Sequence, residues 1–194
     1  MTKQVNNDIT NVRNMNLIAI FAALTAIGAF IRIPLPYIPI TLQTIFVLMA
    51  GIILGGEMAA FSQIIYVILG LIGIPIFTEG RGPAYILKPS FGYLLGFIAT
   101  AYIIGKITEK REINYTNAFM ASCLGIIITY SIGVPYLYLI LNHVSGIKIS
   151  FLGTIKAGMI VFLPGDIIKV LFVTITAPLI KKRLKRYLPL AILI

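Results

Sequence analysis

The chain has 194 residues, of which 59% are hydrophobic and 11% charged, with a mean hydropathy of +0.99. A water-soluble domain of this length needs far more polar surface to cover its core, so the composition points to an integral membrane protein. The formal net charge of +10 sits mainly in clusters beside apolar runs, which argues for membrane-flanking charge and against a nucleic-acid-binding stripe.

A polar segment, residues 1–14, precedes the first apolar run, Met15 to Ile31. That run is too long for a signal-peptide core and reads as a retained span. It ends in "RIPLPYIP", where Pro34, Pro36 and Pro39 break any helix. A second span covers Thr41 to Leu54, and "GGE" at 55–57 turns the chain into a third, Met58 to Gly73. The connection 74–90 is rich in proline, glycine and charge, and leads to a fourth span from Phe91 to Ile107. The fifth covers Ala118 to Leu141. Residues 142–163 are mixed, with a short interfacial helix expected around Phe151 to Val161. The sixth span runs from Gly165 to Ile180 and is followed by a basic C-terminal tail, 181–194. The expected fold is an all-α integral membrane protein, one domain over 1–194, with a bundle of six transmembrane helices and structured outer loops.

Lys3, Arg13, Lys106, Lys110, Arg111 and the cluster Lys181, Lys182, Arg183, Lys185 and Arg186 fall on one side of this topology. The positive-inside rule then places both termini in the cytoplasm. The long connections 74–90 and 142–163 share the outer side, where such loops often serve as lids or binding elements.

The polar groups that need explaining begin with Asp166 and Lys169, in the opening turn of an otherwise apolar run, "VFLPGDIIKVLF". At i and i+3 they share one helical face. Two readings stand: an acid at a helix N-terminus with a snorkelling neighbour, or a ligand site. A lysine near the positive end of a helix needs an anion to compensate it, and a bound carboxylate would supply one. A second candidate is "FTEGRGPAYILKPSFGY", 77–93, where Gly82 permits close backbone approach. Arg81 and Lys88 offer cations there, and Tyr85 and Tyr93 offer ring surface and hydroxyls. Ala19 and Ala23 in the first span place small residues four apart, a spacing that lets another helix come close.

Several chemistries lack parts. The sequence holds no phosphate-binding P-loop motif and only two aspartates, Asp8 and Asp166. His143 is the single histidine and Cys123 the single cysteine, so zinc-protease, serine-hydrolase and thiolate-metal sites have no basis. No catalytic residue, metal or cofactor is expected.

Taken together, "ALTAIGAFIRIPLPYIPITLQTIFVLMAGIILG", "YVILGLIGIPIFTEGRG", "KPSFGYLLGF" and "FLPGDIIKV" resemble the BioY family, the biotin-binding S components of energy-coupling-factor (ECF) vitamin transporters. The resemblance implies a multi-pass protein of the prokaryotic cell membrane that binds biotin near the outer surface. It also implies pairing with a transmembrane T component and two ATPase subunits. On this reading Asp166 and Lys169 bind the ligand, with Arg81, Gly82, Tyr85, Lys88 and Tyr93 as further candidates. The A-x-x-x-A face, Ala19 and Ala23, docks the T component. Asp166 is expected to accept from the ureido N–H groups and Lys169 to pair with the carboxylate. Alternatively the two share one polar end, with Arg81 or Lys88 at the other. An S component for lipoate or a related acid, or a stand-alone cation or proton channel, are the rival functions.

Overall fold

The computed structural model describes residues 11–187. The first helix, α1 (Val12–Phe30), starts at Asn11, whose side chain accepts from the Arg13 amide. The proline-rich stretch after it forms a short antiparallel ribbon, β1 (Arg32–Ile33) with β2 (Ile40–Thr41), pairing Arg32 with Thr41 and Ile33 with Ile40. Next come α2 (Gln43–Leu54) and α3 (Gly56–Leu71), joined at Gly55. Gly55 has φ +86, a conformation that L side chains rarely adopt, which is why the "GG" turn can be so tight. The connection to α4 (Phe91–Glu109) contains an isolated bridge, Phe77 with Gly80, and a 3-10 turn, Pro83–Leu87. Helix α5 (Tyr115–Leu139) ends in a wider helical turn, Ile140–Val144. The short α6 (Phe151–Gly158) and a 3-10 turn, Ile160–Phe162, lead into α7 (Leu163–Tyr187). Six long helices and one short one therefore stand where the hydropathy pattern expects six spans and an interfacial helix.

Helix α2 is the axis of the bundle. It packs against α1, α3, α4, α5 and α7. Val47, Leu48, Ala50, Ile52 and Ile53 are each at most 1% exposed, because a helix that is apolar all round is stable only when surrounded. The outer helices instead present Ile20, Ile27, Ile68, Ile127, Ile168, Leu171 and Ile175 outward. So much exposed apolar surface is untenable in water and fits a hydrocarbon surround.

Four segments are long and apolar enough to cross a membrane, whereas α2 and α3 are shorter. With 12 residues, α2 rises only about 18 Å, well short of the ~30 Å hydrocarbon core. The β1–β2 ribbon and Leu42 lead into α2. Irregular backbone is tolerated at that level only where protein or a wet cavity satisfies it.

At the other end of α2 the turn is held by charge. Glu109 accepts from the Gly56 amide at 2.7 Å, capping α3, and Lys106 bridges Glu57 at 2.9 Å and Glu109 at 3.6 Å. The last helix differs from the sequence expectation. It begins at Leu163 and continues to Tyr187, so residues 181–187 are helical rather than part of a tail. "KKRLKR" consists of good helix formers, so nothing in it stops the helix at Ile180. The remainder of the expected tail, 188–194, and most of the polar N-terminal segment lie outside the described residues.

Close approach decides which glycines can change. A Cβ on Gly105 would stand 2.4 Å from the Gly56 amide nitrogen, backbone that cannot yield, whereas one on Gly165 would meet only an Ile40 methyl at 3.9 Å. Gly105→Ala should therefore lower the thermal unfolding temperature in detergent, by an overpacking cost of about 1–3 kcal/mol. Gly165→Ala should leave it nearly unchanged, and equal effects would show that the α3–α4 contact does not limit stability.

Candidate ligand-binding site

The three connections at one end of the bundle, 31–42, 72–90 and 145–162, gather over a cavity. The space between its wall atoms, part of it open solvent, is about 570 Å³. Much of the wall is apolar, with Ile38, Pro39, Leu94, Phe97, Ile126 and Phe162.

Against this apolar wall stands one ion pair. Asp166 lies in the first turn of α7, where the free amides and the helix dipole favour an anion. Lys169 Nζ donates to Asp166 Oδ1 at 2.8 Å, and both side chains are only 7% exposed. The second carboxylate oxygen, Oδ2, accepts from the Tyr130 hydroxyl on α5. The anion that Lys169 requires near a helix N-terminus is thus Asp166 itself. A pair this buried must be well hydrogen-bonded to survive the loss of hydration, and Tyr130 adds to that.

Tyr93 also lines the cavity, through its ring. Its hydroxyl is committed to the Gly158 carbonyl at 2.7 Å, tying α4 to α6, and its ring meets that of Tyr130 edge-on at 6.1 Å. On another wall, Thr41 donates to Gln43 Oε1 at 3.2 Å, and Gln43 Nε2 donates to the Tyr66 hydroxyl at 2.9 Å. Tyr66 in turn donates to the Ile76 carbonyl at 3.1 Å. This chain of bonds ties the first connection, α2 and α3 to the loop before α4.

That loop supplies a third polar group. The Tyr85 hydroxyl lies 2.9 Å from both Thr78 Oγ1 and Ser90 Oγ, and its ring packs on Phe77 with centroids 4.3 Å apart. Burial pushes the Tyr85 phenol up from its ordinary pKa, outweighing the opposing effect of the bonds to Ser90 and Thr78. It therefore acts as a neutral hydroxyl throughout the physiological range.

Asp166, Lys169, Tyr85 and Tyr93 thus come together in the cavity wall. Arg81 and Lys88 do not: both are exposed and neither lines the cavity. Gly82 is also outside the lining. It has φ +83 and donates to the Gly70 carbonyl at 2.8 Å, so its role is to turn the chain into the 3-10 segment. Ala19 and Ala23 are exposed on α1. Sequence reasoning missed Tyr130, Thr41, Gln43, Thr44, Thr78, Ser90 and Phe162 as wall residues. A signal for three of them was available. Thr41, Gln43 and Thr44 are polar side chains heading an apolar run, the same oddity that singles out Asp166 and Lys169.

Known proteins share this architecture. The chain aligns at 46% identity over 145 residues, 74% of each chain, with a probable biotin transporter BioY of Lysinibacillus sphaericus. With the biotin transporter BioY of Thermotoga maritima it shares 36% identity, covering 90% of this chain and 97% of the relative. Among solved structures, the S-component for biotin from an ECF-type ABC transporter matches with a TM-score of 0.77 at 28% identity, covering 94% of this chain and 95% of the other. The BioY family model matches residues 1–186, from the polar N-terminal segment to the basic end of α7, and on that match this chain belongs to the BioY family.

Proposed function

We propose that this chain is a membrane-embedded S component that captures biotin in the cavity at the head of α7 for an ATP-driven ECF-type uptake transporter. The observation that carries the site assignment is the buried Asp166–Lys169 pair, 2.8 Å apart in a mainly apolar wall. Biotin's ureido group sets a carbonyl acceptor directly beside N–H donors. A carboxylate and an ammonium held side by side offer the complementary pattern, acceptor next to donor. The ureido end therefore belongs at this pair, with Asp166 accepting from N–H and Lys169 donating to the ureido carbonyl. Tyr130 keeps the carboxylate oriented. The bicycle and alkyl chain lie along the apolar wall, and the carboxylate points toward the opening, on whose outer loop Arg81 and Lys88 stand exposed.

The basic residues Lys106, Lys110, Arg111, Lys181, Lys182 and Arg183 lie at the end opposite the cavity, and the positive-inside rule supports a cytoplasmic side for that end. The cavity then opens outward. With no P-loop in the sequence, the energy for uptake comes from partner ATPases through a T component, for which the exposed Ala19 and Ala23 offer a small-residue docking face.

Calorimetry on the purified, detergent-solubilised protein tests this reading, with lipoate as comparison. Biotin should bind tightly and lipoate, which has no ureido group, should not. Equal binding of the two would reject the ureido assignment. Biotinamide, which has lost the carboxylate charge but keeps the ureido group, should retain affinity within about tenfold, or ~1.4 kcal/mol. A much larger loss would place the carboxylate at Lys169 instead. Asp166→Asn should weaken biotin binding at least about tenfold, and unchanged affinity would sink the role given to Asp166. Lys169→Met should also lower the unfolding temperature without biotin, because it strands a buried carboxylate, a change that costs about 3–5 kcal/mol where such pairs have been broken.

A further inference from the structure

The end of the bundle opposite the cavity carries a second concavity, between the α4–α5 turn and the last turns of α7. Arg111, Glu112 and Tyr115 line one side and Leu179, Lys181 and Lys182 the other, around about 950 Å³ that is partly open. Three cations face one carboxylate, so the wall as a whole is positive.

The cations are not equivalent. Lys181 is 8% exposed and its Nζ donates to the Ile52 carbonyl at 2.8 Å, one of the carbonyls that the end of α2 leaves without an intrahelical partner. It serves the fold by fastening α7 to α2. Arg111 and Lys182 are exposed, and no ion pair among the described residues engages either.

The groove is also amphiphilic. Leu179 is 48% exposed, Tyr115 is 55% exposed, and one turn earlier on α7 Ile175 is 57% exposed, continuous with the apolar surface of the bundle. The cations stand just beyond, Lys181 and Lys182 in the next turn of α7 and Arg111 after the end of α4. A soluble anion would use only the charged half of such a groove. A phosphodiester carrying acyl chains would use both halves. Arginine's planar fork suits a phosphate, and juxtamembrane cations draw anionic headgroups.

We propose that this groove binds one molecule of an anionic glycerophospholipid, its phosphodiester between Arg111 and Lys182 and an acyl chain along Leu179 and Ile175. The bound lipid would link the α4–α5 turn to α7, the helix whose other end carries Asp166 and Lys169.

Native mass spectrometry of the detergent-purified protein tests this, with phosphatidylglycerol and phosphatidylcholine of identical acyl chains added in parallel. One equivalent of phosphatidylglycerol should be retained preferentially. The double variant Arg111→Gln/Lys182→Gln should lose that retention by roughly tenfold or more. Arg32→Gln/Lys148→Gln, which removes the same charge at the opposite end, should keep it. Glycerol 3-phosphate, the soluble headgroup chemistry without chains, should not displace the lipid at equal concentration. Elution profile and unfolding temperature establish that each variant is folded. Equal retention of phosphatidylcholine, undiminished retention by the Arg111/Lys182 variant, an equal loss in the control variant, or displacement by glycerol 3-phosphate would each overturn the proposal.

Discussion

A carboxylate and an ammonium removed from water must be paired or hydrogen-bonded to stay charged, and at the head of α7 Asp166 and Lys169 pair with each other. Asp166 and Lys169 can stay charged there because one turn of helix holds them 2.8 Å apart and Tyr130 reaches across from α5 to the second carboxylate oxygen. Tyr130 can reach only if α5 and α7 pack side by side at that level, and they do. The edge-on stacking of Tyr93 against Tyr130 then brings α4 into register with both. These contacts join α4, α5 and α7 at one level. They also leave a polar pair facing an apolar cavity, an arrangement in which an apolar wall can supply contact area and a polar pair direction.

Helix α2 is short, 12 residues, and its first turn meets the cavity. The chain enters it from the proline-rich ribbon, so that Thr41 at the end of β2 and Gln43 and Thr44 in the first turn of α2 line the cavity. The bonds from Gln43 to Tyr66 and from Tyr66 to the Ile76 carbonyl satisfy polar groups that would otherwise be costly at this depth. They also couple the first connection to the loop that holds Tyr85. The roof and wall therefore form one hydrogen-bonded unit, while the opposite end of the bundle is governed by surface charge around Glu57, Lys106 and Glu109.

Much of the architecture was legible along the chain. The apolar runs placed all six long helices, usually within a few residues of their ends, and the proline cluster and the "GG" turn marked real breaks. The main miss was the end of α7. An apolar-run criterion stops at Ile180, yet nothing in "KKRLKR" ends a helix, so hydrogen bonding carries on after hydrophobicity has ceased. The lining of the cavity was half legible. Asp166 and Lys169 announced themselves because charge inside an apolar run has a cost that needs a reason. Arg81 and Lys88 were attractive for the same charge, but they sit in a connection already polar, where exposure to water is reason enough.

From the sequence alone follow the membrane class, the number and order of the helices, the side bearing most of the positive charge and the oddity of Asp166 and Lys169. Each is a property of contiguous residues: hydropathy sums over a run, and a charge is anomalous against its neighbours. The tertiary structure alone decided that the lysine's partner is Asp166, that Tyr130 completes the pair from 36 positions away, that Tyr93 contributes its ring while its hydroxyl holds Gly158, and that Gln43 joins the wall. These depend on which helix faces meet. Helix packing settles that through shape and polar satisfaction between distant segments, and no local pattern along the chain encodes it.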